Sequence, residues 1–142
     1  MSGGAFAWDY GTKDEAKTMA ERAAQFYRQY GKDRAFQAFQ NGTDGFKDRD
    51  LYVFVYSNSG TCVSHGANPA MIGRNLIDLV DGEGKLMIRE VVAVKTADWV
   101  VFQWRNPQNH EIQKKSSYVV RAGEYLFGVG AYDNPDPAQG GE

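Results

Sequence analysis

The sequence predicts an α+β fold, in which a five-stranded antiparallel sheet carries a long N-terminal helix and has crossover helices on one face. Two observations lead to this prediction. Apolar residues near the N-terminus recur at helical spacing, whereas the end of the chain contains three β-rich runs separated by short turns. A strand hairpin and a partly helical crossover lie between them. This order of elements predicts one domain over residues 11–132.

The N-terminal helix is predicted over residues 12–30. Thr12 and Glu15 have the spacing of a capping box, in which each side chain hydrogen-bonds the backbone N–H of the other residue. The apolar positions that follow form one buried helical stripe; they are Ala16, Met19, Ala20, Ala23, Phe26, Tyr27 and Tyr30. A shorter helix is predicted over residues 33–40, before an Asn-Gly pair.

The first two strands form a predicted hairpin. Residues 51–56 are β-branched and aromatic without a break, residues 57–60 favour a turn, and residues 61–65 return as the second strand. An irregular or briefly helical segment then runs to residue 79. After a glycine-rich break, the spacing predicts a helix over residues 86–95.

Three closing strands are predicted over residues 98–105, residues 111–120 and Tyr125–Tyr132. Short turns join them, so they are expected to pair as an antiparallel meander. The whole order is the layout of a PAS-like fold, which encloses a pocket between the sheet and the crossover. The ends of the chain, residues 1–10 and 133–142, are predicted to be disordered.

Composition excludes several classes of function. The 16 basic and 18 acidic residues give a net charge of −2, so no nucleic-acid partner is predicted. No apolar run approaches the roughly 20 residues that cross a bilayer, which predicts no membrane insertion by this sequence. Residues 1–10 lack the basic and apolar regions of a signal peptide.

Motifs for catalysis or metal binding are not recognised in the sequence. His65 and His110 are far apart and have no acidic partner at ligand spacing, so no zinc site is predicted. Asp44, Asp48 and Asp50 lack the pattern of a calcium-binding loop, which favours a solvated loop. We therefore predict no enzyme activity, no metal and no cofactor.

Cys62 is the single cysteine of the chain and cannot form an internal disulfide. Its place in an apolar strand favours a small buried hydrophobe. The alternative is a small extracytoplasmic thiol enzyme or redox accessory that uses Cys62 with His65. Residues three apart on a strand lie on opposite faces, and no third group orients this pair, so the alternative ranks second.

Several linked motifs, in one order, resemble a single Cache domain of the second type. They are residues 48–56 (DRDLYVFVY), 65–69 (HGANP), 73–79 (GRNLIDL), 99–104 (WVVFQW), 115–118 (KSSY) and 128–132 (GVGAY). The family usually has a Trp in its final strand and an ending like Gly-Thr-Gly-Ile-Tyr. This chain departs from that pattern with the letters YLFGVGA.

The resemblance implies a periplasmic or extracellular sensor that binds a small organic ligand, most often a short carboxylic acid. It places five residues at or near that ligand: Tyr52, His65, Trp104, Lys115 and Tyr118. Lys115 is the expected anchor of the ligand carboxylate. Without the resemblance, a purely structural explanation is available for each residue. The Tyr and Trp side chains would pack in the core, His65 would cap the following loop, and Lys115 would be exposed to solvent.

Two further expectations follow from the resemblance and from strand geometry. Alternation puts Lys115 and Tyr118 on opposite faces, so one of them is expected to reach the pocket through a bulge or from the end of its strand. In related sensors the N-terminal helix often mediates dimerisation. A homodimer and an unidentified signalling partner are therefore expected for this chain.

Overall fold

The computed structural model describes residues 10–133. The predicted disorder at both ends of the chain therefore lies outside the described residues, except at Tyr10 and Asp133. The helices are α1 (Lys13–Tyr30), α2 (Lys32–Asn41) and α3 (Met87–Val92), and a 3₁₀ turn at Pro69–Met71 lies in the crossover. The strands are β1 (Lys47–Asp48), β2 (Leu51–Ser57), β3 (Cys62–His65), β4 (Ala97–Arg105), β5 (Ile112–Ala122) and β6 (Tyr125–Tyr132).

The antiparallel sheet has the strand order β1-β2-β6-β5-β4, and β3 also pairs with β2. The predicted PAS-like α+β architecture is confirmed, with two differences in detail. The structure adds β1, whose two residues are too few to show alternation in the sequence. The helix α3 has six residues instead of the predicted ten, because Val94 and Lys95 already lie beyond its last turn.

Helix α1 is one continuous element of 18 residues, as predicted. The Glu15 N–H donates to Thr12 Oγ1 at 3.1 Å, and the Thr12 N–H donates to Glu15 Oε1 at 2.9 Å. This capping box satisfies two backbone donors that the helix cannot satisfy itself. The helix ends at Gly31, whose φ of 86° is a conformation that glycine adopts at no steric cost.

The sheet separates two apolar layers, and β2 is buried on both faces. Its odd-numbered residues Leu51, Val53 and Val55 pack with α1, α2 and alternate residues of β6. Its even-numbered residues Phe54 and Tyr56 pack with α3 and the rest of the crossover. This unbroken apolar run is why the alternation is not visible in the sequence of β2.

The crossover is fixed to the free edge of β4 by two polar contacts. Lys85 Nζ donates to the carbonyl oxygen of Val101 at 2.7 Å, and the N–H of Gln103 donates to Asp81 Oδ2 at 3.0 Å. These bonds occupy backbone groups that would otherwise be open to another strand. They also hold the crossover over one face of the sheet.

Asp50 connects three parts of the fold and is fully buried. Its Oδ1 accepts from the Gly11 N–H at 2.7 Å, and its Oδ2 accepts from Asn106 Nδ2 at 3.2 Å. The carboxylate thereby ties the segment before α1 to the β4–β5 turn, while burial raises its pKa. The prediction of a solvated loop is wrong for this residue, although Asp44 and Asp48 are exposed.

Replacement of Asp50 tests its role in the fold. Asp50→Ala should lower the free energy of unfolding by about 1–3 kcal/mol, because buried donors of Gly11 and Asn106 lose their acceptor. Asp48→Ala is the control; Asp48 is exposed, and its ion pair with Arg49 is worth less than about 1 kcal/mol. Urea unfolding followed by circular dichroism measures both. Equal losses for the two variants would contradict this role.

Candidate functional site

A small cavity lies between the crossover and the face of the sheet that the crossover covers. Its volume is about 10 Å³, which is close to the smallest space that holds one water molecule. Most of its wall is apolar. The lining side chains are Phe54, Tyr56, His65, Ile88, Phe102, Trp104 and Lys115. We call this space the inner cavity.

A larger cleft of about 240 Å³ adjoins the inner cavity and reaches the surface of the protein. His65 and Trp104 line both spaces, and their ring centroids lie 6.3 Å apart. These two rings are therefore wall residues that the cleft and the inner cavity share. The remaining walls of the cleft come from Tyr52 and from the segments around residues 67–68 and 105–110.

Lys115 is the charged residue of the inner cavity and is only 1% exposed. Its Nζ donates to the hydroxyl of Tyr52 at 2.9 Å and lies 5.0 Å or less from the ring centroids of Tyr52 and Phe54. No ion pair of Lys115 occurs within residues 10–133. Burial lowers the pKa of Lys115 to about 7, and the attraction of the more distant Asp50 opposes this shift.

A chain of hydroxyl groups leads away from Lys115. The Tyr132 hydroxyl donates to the carbonyl oxygen of Arg105 at 3.0 Å, so the Tyr52 hydroxyl donates to Tyr132, 2.9 Å away. Burial raises the pKa of both tyrosines, and both hydroxyls stay neutral. Lys115 is therefore bound to a neutral oxygen and not to a compensating negative charge.

The hydrogen bonds of His65 determine its tautomer. Its Nδ1 accepts from the backbone N–H groups of Ala67 at 3.2 Å and Asn68 at 2.9 Å, so the ring proton is on Nε2. Burial, together with the positive charges of Lys115 and Lys47, lowers the pKa of His65 to about 3. His65 is thus a neutral donor, and its Nε2 has no hydrogen-bond partner among residues 10–133.

Two glycines of β6 make room for this arrangement. A Cβ at Gly130 would lie 2.4 Å from Lys115 Cε and from Ser117 Oγ, and one at Gly128 would lie 2.2 Å from Phe54 Cζ. Both distances are far below van der Waals contact. The absence of side chains at these positions is therefore what allows Lys115 and Phe54 to lie flat across the sheet.

The structure brings together four of the five residues that the sequence analysis assigned to the ligand. Tyr52, His65, Trp104 and Lys115 surround the two adjoining spaces. Tyr118 lies on the opposite face, where it contacts Trp99 at a centroid distance of 5.1 Å and packs against the α1 layer. Regular alternation along β5 explains this placement, and no bulge or strand end brings Tyr118 back.

Sequence reasoning missed other residues of the inner cavity. Phe54 and Phe102 belong to apolar strands, and nothing in those runs marks the members that face a cavity. Ser117 is not among the lining residues, but it is fully buried two residues after Lys115 on the same face. Its Oγ has no hydrogen-bond partner within the part of the chain that the structure describes. Alternation from Lys115 could have identified Ser117.

Cys62 is buried and does not pair with His65. Its Sγ donates to the carbonyl oxygen of Ser64 at 3.5 Å, and burial raises the pKa of the thiol to about 11. The Nδ1 of His65 is already occupied by backbone donors. Between residues 10 and 133, no three His, Cys, Asp or Glu side chains are grouped to hold a metal ion, and no helix there is long and apolar enough to span a membrane.

The family model for the single Cache domain 2 matches residues 11–134. The chain belongs to the single Cache domain 2 family. This confirms the family indicated by the sequence motifs. Single Cache domains are periplasmic sensor domains, and the predicted periplasmic or extracellular location follows from this membership.

Similar solved structures support the fold of this Cache domain. A methyl-accepting chemotaxis protein from Vibrio parahaemolyticus has a TM-score of 0.74 and 21% identity, covering 84% of this chain and 87% of that one. A Cache chemosensory domain studied for carboxylic acid recognition has a TM-score of 0.66 and 20% identity, covering 85% and 88%. A periplasmic sensor domain of a chemotaxis protein has a TM-score of 0.64, 22% identity and coverage of 82% and 87%.

A curated relative of the Cache domain is the sensor histidine kinase MctS of Rhizobium johnstonii. It is 32% identical over 88 residues, which are 59% of this chain. The match spans only 19% of the length of the kinase. The relationship therefore concerns one part of that larger protein.

The buried Lys115 should make the folded domain less stable. The pKa of Lys115 is about 7 in the folded state and about 10.4 in the unfolded state. The free-energy cost of burying the charged ammonium is therefore fully present below pH 7, and it disappears as the pH rises towards 10.4. Lys115→Met should therefore raise the free energy of unfolding by about 1–4 kcal/mol at pH 6, and by less at pH 10.

Urea unfolding at the two pH values measures this effect. Lys114→Met is the matched control, because Lys114 is the exposed neighbour on β5 and its replacement should change stability by less than about 0.5 kcal/mol. A Lys115→Met variant that is less stable than the wild type at pH 6 would show that the buried ammonium does not lower the free energy of unfolding.

Proposed function

We propose that this Cache domain is a sensor module that binds a short carboxylic acid between the sheet and the crossover, with Lys115 as the anchor of the carboxylate. The observation that carries the proposal is a buried cation without an ion pair among the described residues. A carboxylate that leaves water needs a positive partner and several donors. Lys115 has three N–H donors, of which the contact with Tyr52 uses one.

The surroundings of Lys115 support a small, partly apolar ligand. The Nε2–H of His65 is a neutral donor for the second carboxylate oxygen, and Ser117 is a nearby hydroxyl without a bond. Phe54 and Phe102 provide apolar walls for a short hydrocarbon part. A site of this kind, mostly apolar with a few oriented polar groups, is typical of small-molecule pockets.

The charge of the inner cavity favours one carboxylate over other ligand classes. Within residues 10–133, Lys115 is the only charged side chain that lines it, so an amine would be repelled and a second carboxylate would be buried without a partner. The related chemosensory domain studied for carboxylic acid recognition agrees with this class. The sensor role agrees with relatives that are chemotaxis proteins and a sensor kinase.

The rival function, a thiol enzyme using Cys62 and His65, receives no support. A thiol with a raised pKa is a weak nucleophile at neutral pH, since little of it is thiolate. The imidazole that would have to activate it accepts two backbone hydrogen bonds instead. We accordingly propose a binding function and no catalysis for this domain.

Replacement of the anchor tests the proposed function. Lys115→Met should weaken binding of acetate, propionate or butyrate by about 2–5 kcal/mol, because the carboxylate would be buried without its charge partner. A thermal-shift screen selects the best acid, and calorimetry measures its affinity for each variant. Lys114→Met should bind like the wild type. Unchanged affinity in Lys115→Met would refute Lys115 as the anchor.

Affinity for the acid should also depend on pH. The carboxylate favours the protonated amine, so affinity should be nearly constant below pH 7 and fall by up to about tenfold per pH unit above it, until the pKa of the bound state is reached. Calorimetry at pH 8 in buffers with different ionisation enthalpies should show uptake of roughly one proton. Affinity that is the same at pH 6 and pH 9 would contradict this expectation.

A further inference from the structure

We propose that Ile88, on the crossover helix α3, sets the longest hydrocarbon chain that the domain accepts; this inference rests on the proposed function. Ile88 is 1% exposed and lines the inner cavity opposite the sheet. Among the described side chains that line this cavity, it is the one that does not come from a strand. The sheet therefore forms the floor and Ile88 forms the roof.

The polar end of the inner cavity belongs to the floor. Lys115 on β5 and His65 on β3 provide the donors that a carboxylate needs. With the carboxylate held there, the hydrocarbon chain of the acid extends into the apolar part of the cavity. Ile88 is part of the apolar wall that such a chain would meet.

The volume of the inner cavity requires one wall to move when an acid enters. About 10 Å³ holds at most one water molecule, whereas even a two-carbon acid has four heavy atoms. Strands β4 and β5 of the floor are fixed by a continuous ladder of nine residue pairs. Displacing such a strand would break several backbone hydrogen bonds at once.

The roof is held less firmly. Helix α3 has six residues, and its N-cap residue Leu86 makes no side-chain capping bond. At its C-terminal end Arg121 Nη2 of β5 donates to the carbonyl oxygen of Val92 at 2.6 Å. The part of the helix that contains Ile88 is attached to the core by the apolar side chains of Met87, Ile88 and Val91. Non-directional packing permits small displacements that a hydrogen-bonded strand does not. An acid is therefore accommodated at Ile88, and each additional methylene competes with this side chain for space.

Val91 provides a matched control for Ile88. It lies on the same helix nearly one turn later, is 0% exposed and belongs to the same apolar cluster. It is not among the residues that line the inner cavity. Val91→Ala therefore loosens the attachment of α3 in the same way as Ile88→Ala, but it leaves the roof of the cavity in place.

The experiment compares affinities for the unbranched acids from acetate to hexanoate in the wild type, Ile88→Ala and Val91→Ala by calorimetry. Ile88→Ala removes three carbon atoms, and it should move the optimum to acids longer by about two or three methylenes. For each methylene newly accommodated, the affinity relative to acetate should rise by about tenfold or more. Val91→Ala should keep the wild-type order. Ile88→Val, a smaller deletion, should move the optimum in the same direction by about one methylene.

The possible results separate this inference from the proposed function. If the wild type binds none of these acids, the proposed function fails, and the inference fails with it. Suppose instead that the wild type binds these acids, and that both Ile88→Ala and Ile88→Val rank the acids by affinity as the wild type does. In that case only the inference is overturned. An equal shift in Val91→Ala would also overturn it, because the effect would then come from a loosened helix and not from the shape of the roof.

Discussion

The buried ammonium of Lys115 imposes the strongest physical requirement on this domain. Removing a cation from water is costly unless the protein provides charge or donors in return. In the folded chain, Lys115 contacts the hydroxyl of Tyr52 and the faces of neighbouring aromatic rings. It forms no ion pair with any of the described residues. The described residues thus leave the positive charge of Lys115 without a negative partner.

The polar groups around Lys115 form one continuous arrangement. Tyr52 links Lys115 to Tyr132, and Tyr132 links it to the backbone of Arg105 at the end of β4. Because each hydroxyl must donate onward, the oxygen of Tyr52 presents a lone pair to Lys115. The orientation of the ammonium is therefore set by a backbone carbonyl two hydrogen bonds beyond Tyr52.

The two faces of the sheet have different physical roles. The face towards α1 and α2 is filled by aliphatic and aromatic side chains, with Tyr118 at its margin. The other face contains the glycines of β6, and neighbouring strands extend long side chains over them. Stability can therefore come from one layer while the other contains a cavity and a buried charge. The crossover that closes this second layer is held by Lys85 and Asp81 at the edge of β4.

The order of elements, the long capped helix and the family could be predicted from the sequence, because capping, turn residues and linked motifs are local signals. The sequence also identified four residues that line the two adjoining spaces. Three other features could not be predicted, because they depend on how distant segments pack together. Strand register and the packing of the crossover place Tyr118 on the opposite face, bury Asp50 and bring Ile88 into the wall of the inner cavity. Both arise from contacts between residues far apart in the chain.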